Sequence, residues 1–161
     1  MIEPWHDFFV ATVGASAALG GLIIVAMSVN IARIITIPSM PSRAAATIGS
    51  LVLVVVVGAA ALIPAQPSLA LGVEVLVFSA IATVLAIDSI VKMYAVRSEV
   101  PPGMTFIKAA VEVVKVVPFL VGGVLLAFDV PGALYWIAAG ILLVFVGSVI
   151  NAWVLLVEIL R

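Results

Sequence analysis

Five long apolar runs, parted by short proline-bearing stretches, make up nearly all of this chain. The hydrocarbon core of a bilayer is about 30 Å thick, and a helix rising about 1.5 Å per residue crosses it in about 20 residues. The runs therefore predict spanning helices over about 8–37, 43–63, 69–96, 103–128 and 133–160. The first is longer than a perpendicular crossing needs, so Asn30 to Ile37 is expected to emerge among the headgroups. Pro38 and Pro41 break it, and Ser42 offers a side-chain cap to the second helix. IPAQPS, ending at Ser68 as the next cap, reads as a tight turn, and RSEVPPG joins the third and fourth spans. Pro118 lies inside the fourth span and predicts a kink there. Asp129, Pro131 and Gly132 make the last turn, with Pro131 at a first helical position. The expectation is an all-α transmembrane bundle of five helices, one domain over residues 1–161.

The basic residues orient it. Arg33 and Arg43 flank the first turn, Lys92, Arg97 and Lys108 the third, Lys115 lies deeper in the fourth helix, and Arg161 is last. The N-terminus and the other two turns have none. Five spans put these groups on opposite faces, which predicts the N-terminus outside and the C-terminus in the cytoplasm. Trp5, Tyr135 and Trp136 would mark the outer interface, and Tyr94 and Trp153 the inner one.

Composition strengthens the membrane reading. The chain is 66% hydrophobic and 9% charged, where soluble domains carry about 25% charged residues. So little polar surface cannot cover a soluble core, and lipid has to cover it. A net charge of −1 argues against a nucleic-acid partner, which would want a basic face. The lack of cysteine removes disulfides, thiolate metal sites and cysteine nucleophiles. MIEPWHDFF has no basic residue before the first run, unlike a signal peptide, so that span is expected to stay uncleaved.

Small residues let helices approach closely in lipid. GASAALGG, from Gly14 to Gly21, supplies several small-xxx-small pairs, and Ala133, Gly140 and Gly147 repeat at seven with Asn151 on the same side. Both read as packing seams within the chain. A bundle this small has few buried positions, so homo-oligomerisation is expected as well.

LGGLIIVAMSVN (Leu19–Asn30), Ile34, MPSRAA (Met40–Ala45), PAQ (Pro64–Gln66) and LGVE (Leu71–Glu74) resemble an uncharacterised family of small bacterial integral membrane proteins. The resemblance covers roughly the first half of the chain. It departs from the family pattern at Gly20, where the family has Thr, near Thr47, where it has an acid, and at Ala65, where it has Gly. The resemblance implies a polytopic protein of the bacterial inner membrane and no particular activity. It singles out Asn30, Arg43, Gln66 and Glu74 as polar residues within the matching stretches.

Charged residues inside the spans are the candidate chemistry. Glu74, Asp88 and Lys92 share one face of the third helix, Asp88 and Lys92 as an acid-first i,i+4 pair. Lys108, Glu112 and Lys115 share one face of the fourth, continued by Phe119 and Gly122. Counted from the turn between them, Asp88 and Glu112 lie at similar depth, roughly 13 Å in, with Lys115 able to reach Asp88. A charge at the centre of a span costs about 2.5–3.5 kcal/mol on insertion scales, so these side chains should face protein or water. They line an ion or solute path, or they form a structural ion-pair network from which Lys92 and Lys108 snorkel to the headgroups. Glu74, roughly 9 Å below the outer turn, has no basic residue at its level. It is a cation or proton site, or it hydrogen-bonds Ser79, Gln66 or another helix.

Catalytic patterns are missing: no HExxH, GxSxG, P-loop or GxGxxG occurs, and no Ser is placed beside His6, the single histidine. Glu3, His6 and Asp7 on the N-terminal segment read as a solvated interface rather than a metal site. A non-enzyme without cofactor is expected. The foremost expectation is a homo-oligomeric channel or transporter for ions or a small solute, with Glu74, Asp88, Glu112 and Lys115 on its path. The alternative is a non-catalytic accessory subunit docked on a larger membrane partner.

Overall fold

A computed structural model describes residues 3–36, 40–95 and 102–160 of the chain. After a 3-10 turn at Glu3–Trp5 come helices α1 (His6–Val29), α2 (Ile31–Ile34), α3 (Met40–Ala61), α4 (Ser68–Ala95), α5 (Pro102–Ala127) and α6 (Ala133–Leu160). All but α2 are long and apolar enough to cross a membrane. The chain is an all-α polytopic membrane protein with the five spans that its apolar runs predict.

Three boundaries differ from the sequence expectation, each for a local reason. The first run breaks at Asn30, whose Nδ2 donates to the Ala26 carbonyl at 2.9 Å while its backbone N–H turns to Met27 at 3.1 Å. An asparagine amide that competes for helix carbonyls ends α1 there, and one further turn, α2, follows. Ser42 lies inside α3 instead of flanking it: the helix begins at Met40, which places Ser42 and Arg43 in its first turn, both buried. Pro131 precedes α6 instead of opening it, because Gly132 takes φ +88°, a left-handed conformation that a right-handed helix cannot contain. Ser68 is the first residue of α4, and the Pro67 carbonyl before it accepts the Leu71 N–H at 3.1 Å. Helix α5 continues through a buried Pro118. Pro38, Arg97 and the rest of 96–101 lie outside the described residues.

Helices consecutive in the chain pack side by side, α1 on α3, α3 on α4, α4 on α5 and α5 on α6. Contact between α3 and α6 closes the last four into a ring, with α1 against α3. One end of the bundle holds the start of α1 and the turns at 62–67 and 128–132; it is called the amino end below. The opposite, basic end holds 30–36, the start of α3, the end of α4 and the start of α5. At the amino end the Trp5 and Tyr135 rings meet edge-on, 4.8 Å apart, and tie α1 to α6.

Glycines decide which faces meet. A Cβ on Gly72 would lie 2.6 Å from the Ala127 nitrogen and 2.8 Å from the Gly123 carbonyl, so α4 and α5 touch backbone to backbone. On α6, a Cβ on Gly140 would strike the Phe119 ring and one on Gly147 the Lys115 stem. The predicted seam of Ala133, Gly140, Gly147 and Asn151 thus packs within the chain, against α5. GASAALGG divides. Ser16 donates to the Leu51 carbonyl at 2.9 Å and Gly20 lies under Leu51, whereas Gly14, Ala17, Ala18 and Gly21 face outward. The amino half of the ring is filled by Val54, Val57, Val75, Phe119 and Ile141, all essentially inaccessible.

Candidate functional site

Polar chemistry in the interior gathers in the basic half, where α3, α5 and α6 converge. The α5 face carrying Glu112, Lys115, Phe119 and Gly122 points inward, all four buried. Lys115 Nζ lies 2.8 Å from Glu112 Oε2, with side chains 2% and 6% exposed. Asn151 of α6 donates from Nδ2 to Glu112 Oε1 at 2.8 Å and to Thr47 Oγ1 of α3 at 3.2 Å. Thr47 in turn donates to the carbonyl of Arg43, 2.9 Å away. The Lys115 stem reaches this position because Gly147 leaves room: a Cβ there would come within 2.6 Å of Lys115 Cδ. Taking an ion out of water costs several kcal/mol even after relaxation, on the order of the gain from a well-placed partner. Opposite charge and the Asn151 amide together offset that cost for Glu112. Lys115 is less well served. Its ammonium has charge contact with Glu112 but no hydrogen-bond alignment among the described residues, and neither does the buried Ser148 hydroxyl one turn before Asn151.

Asp88 does not join this network. It pairs with Lys92 at 2.8 Å on the outside of α4, with side chains 47% and 51% exposed. The expected single cluster is therefore two separate pairs, and Lys115 is held by Glu112 instead of reaching Asp88. The reason lies in Gly72. That residue sets the face α4 turns to α5, and Asp88, sixteen residues on, is about 160° round the helix from it. The buried stripe of α4 is instead Leu71, Gly72, Val75, Ser79, Ala82, Ala86 and Ser89. An exposed pair of this kind contributes about 0–1 kcal/mol. The side chain of Lys108 lies outside the described residues.

At the amino end Glu74 has a partner. Gln66 Nε2 donates to Glu74 Oε2 at 2.7 Å, bridging the turn and the second turn of α4. Ala65 makes this possible by taking φ +56°, which doubles the chain back towards α4. Ser79, the other partner weighed on α4, has a buried hydroxyl with no hydrogen bond among the described residues. Gln66 Oε1 is also buried and has no donor among them. Beside it opens a cavity of about 510 Å³, lined by residues 61–68 with His6, Leu71 and Leu126.

Asn30 and Arg43 stand apart from Gln66 and Glu74. Asn30 is spent on its own helix at the end of α1. Arg43 is 6% exposed in the first turn of α3, one turn from Thr47. Joining Thr47 and Asn151 to Glu112 is what sequence reasoning missed. The available signal was an asparagine embedded in the long apolar run of the sixth helix, a group that must find a partner in lipid. Compared with protein-family models, curated proteins and solved structures, the chain matches none, so the assignment to a polytopic membrane protein rests on its own residues.

Proposed function

We propose that this protein is a small channel or transporter for ions or a small solute, assembled as a homo-oligomer in the bacterial inner membrane, N-terminus outside and C-terminus in the cytoplasm. The observation that carries the reading is the Glu112–Lys115 pair inside the bundle, hydrogen-bonded to Asn151. Ionisable groups kept within the span despite their desolvation cost, and turned to the bundle interior, are characteristic of ion and substrate pathways. The orientation rests on the basic residues, which all fall at or towards one end. Since Val54, Val57, Val75, Phe119 and Ile141 fill the amino half, passage requires helix movement within one copy or an axis between copies.

One observation favours the accessory-subunit reading. The outward face of Gly14, Ala17, Ala18 and Gly21 on α1 is the kind of surface on which a second membrane helix packs closely. Reconstitution in liposomes separates the two. The expected result is a discrete oligomer with ion flux that falls in the double variant Glu112→Gln, Lys115→Met. A monomer without flux overturns the transport reading, and flux unchanged in that double variant removes the buried pair from the path.

A further inference from the structure

We propose that the cavity at the amino end binds a small organic cation through Gln66, backed by the carboxylate of Glu74. The volume, about 510 Å³, falls within the roughly 300–1,000 Å³ of small-molecule pockets. Its wall mixes apolar and polar surface, with Leu62, Leu71 and Leu126 among the lining beside His6, Gln66 and Ser68. That mixture suits a compact ligand with an apolar body and one charge.

The sign of the charge follows from the polar groups. Gln66 spends its amide N–H on Glu74, which fixes the orientation of the amide. Its Oε1 is therefore left as an acceptor, buried and without a donor among the described residues. Glu74 does not line the cavity; it stands one hydrogen bond behind Gln66 and supplies the negative charge. Among the described residues no lysine or arginine balances it at this end, where His6 on the cavity wall is the one basic side chain. Lysine and arginine occur only at 33, 43, 92, 97, 108, 115 and 161, whereas Asp7, Glu74 and Asp129 all belong to the amino half. A half-buried carboxylate with no lysine or arginine beside it attracts a cation and repels an anion of the same size.

This inference deepens the transport reading by naming a solute class, yet binding can be measured without transport. Purified full-length protein in detergent is titrated with benzylammonium, whose N–H groups can donate to Gln66 Oε1, with tetraphenylphosphonium and with the latter's isosteric anion tetraphenylborate, by equilibrium dialysis. Saturable binding of at least one cation is expected, at least tenfold tighter than that of tetraphenylborate. Glu74→Gln should weaken cation binding tenfold or more, and Asp88→Asn should leave it unchanged. Leu62→Trp, which fills the cavity and leaves Glu74 in place, should abolish it. No saturable cation binding, equal binding of cation and anion, or full affinity in folded Glu74→Gln or Leu62→Trp protein overturns the site. Cation binding without flux in liposomes upholds the site and overturns the transport reading; inorganic-ion flux without cation binding does the reverse.

Discussion

Lys115 illustrates how a single residue can depend on its surroundings in a membrane. Its charge needs Glu112 and its stem needs the missing side chain of Gly147. Lys115→Met keeps the stem and strands Glu112 as a buried charge without a counter-ion, which is expected to cost on the order of 3–5 kcal/mol. Combining it with Glu112→Gln should recover much of that loss. Reversible unfolding in micelles, read as a double-mutant cycle, checks this, and strictly additive losses would refute the coupling. Ala65 offers a prediction of opposite sign. Its φ of +56° strains any residue with a Cβ by about 1–2 kcal/mol, so Ala65→Gly should raise the melting temperature in detergent. A fall in melting temperature would show that the turn does not carry this strain. At this scale the sequence revealed that Glu112 and Lys115 share a face, because helical spacing fixes azimuth. It could not reveal Thr47 and Asn151 as partners, since spacing within a helix does not say which helices converge.

Among elements, the contrast lies between glycines that meet backbone and glycines that meet nothing. Gly72→Ala sets a methyl against the α5 backbone, which cannot rotate away, and should cost about 1–3 kcal/mol. Gly14→Ala, within α1 and with open space around it, should not lower monomer stability. Thermal unfolding of both variants in the same detergent distinguishes them, and equal losses would place α4 and α5 further apart than described. The same glycine explains why the spans were legible and their faces only partly so. Length and hydropathy define a crossing without reference to neighbours. The direction Asp88 takes was set by the approach of Gly72 to Gly123, two glycines among 12 with nothing local to mark them. The break at Asn30 and the start of α6 at Ala133 likewise turn on one amide and one left-handed glycine.

For the molecule as a whole, the absence of cysteine makes the orientation straightforward to test. Single cysteines placed at exposed Ile63, in an amino-end turn, and at exposed Ala95, at the basic end, should react differently in intact cells. A membrane-impermeant maleimide should label Ile63→Cys at once and Ala95→Cys only after permeabilisation. The reverse pattern would invert the proposed topology. Charge asymmetry between the two ends carries this expectation, and it was readable directly from the sequence, because it depends on which turn each basic residue adjoins and not on how the helices pack.

The Glu112–Lys115 pair also bears on how the protein is made. Its members lie three residues apart on one helix, whereas Asn151 follows Glu112 by 39 residues on the next. During synthesis α5 leaves the ribosome ahead of α6, so its acid meets a counter-ion before Asn151 has been made. The helix can partition into lipid as a locally neutral unit, and the hydrogen bonds to α6 form afterwards, when the two helices associate. A charge pair divided between α5 and α6 would instead have exposed each helix to the translocon with an unbalanced ion.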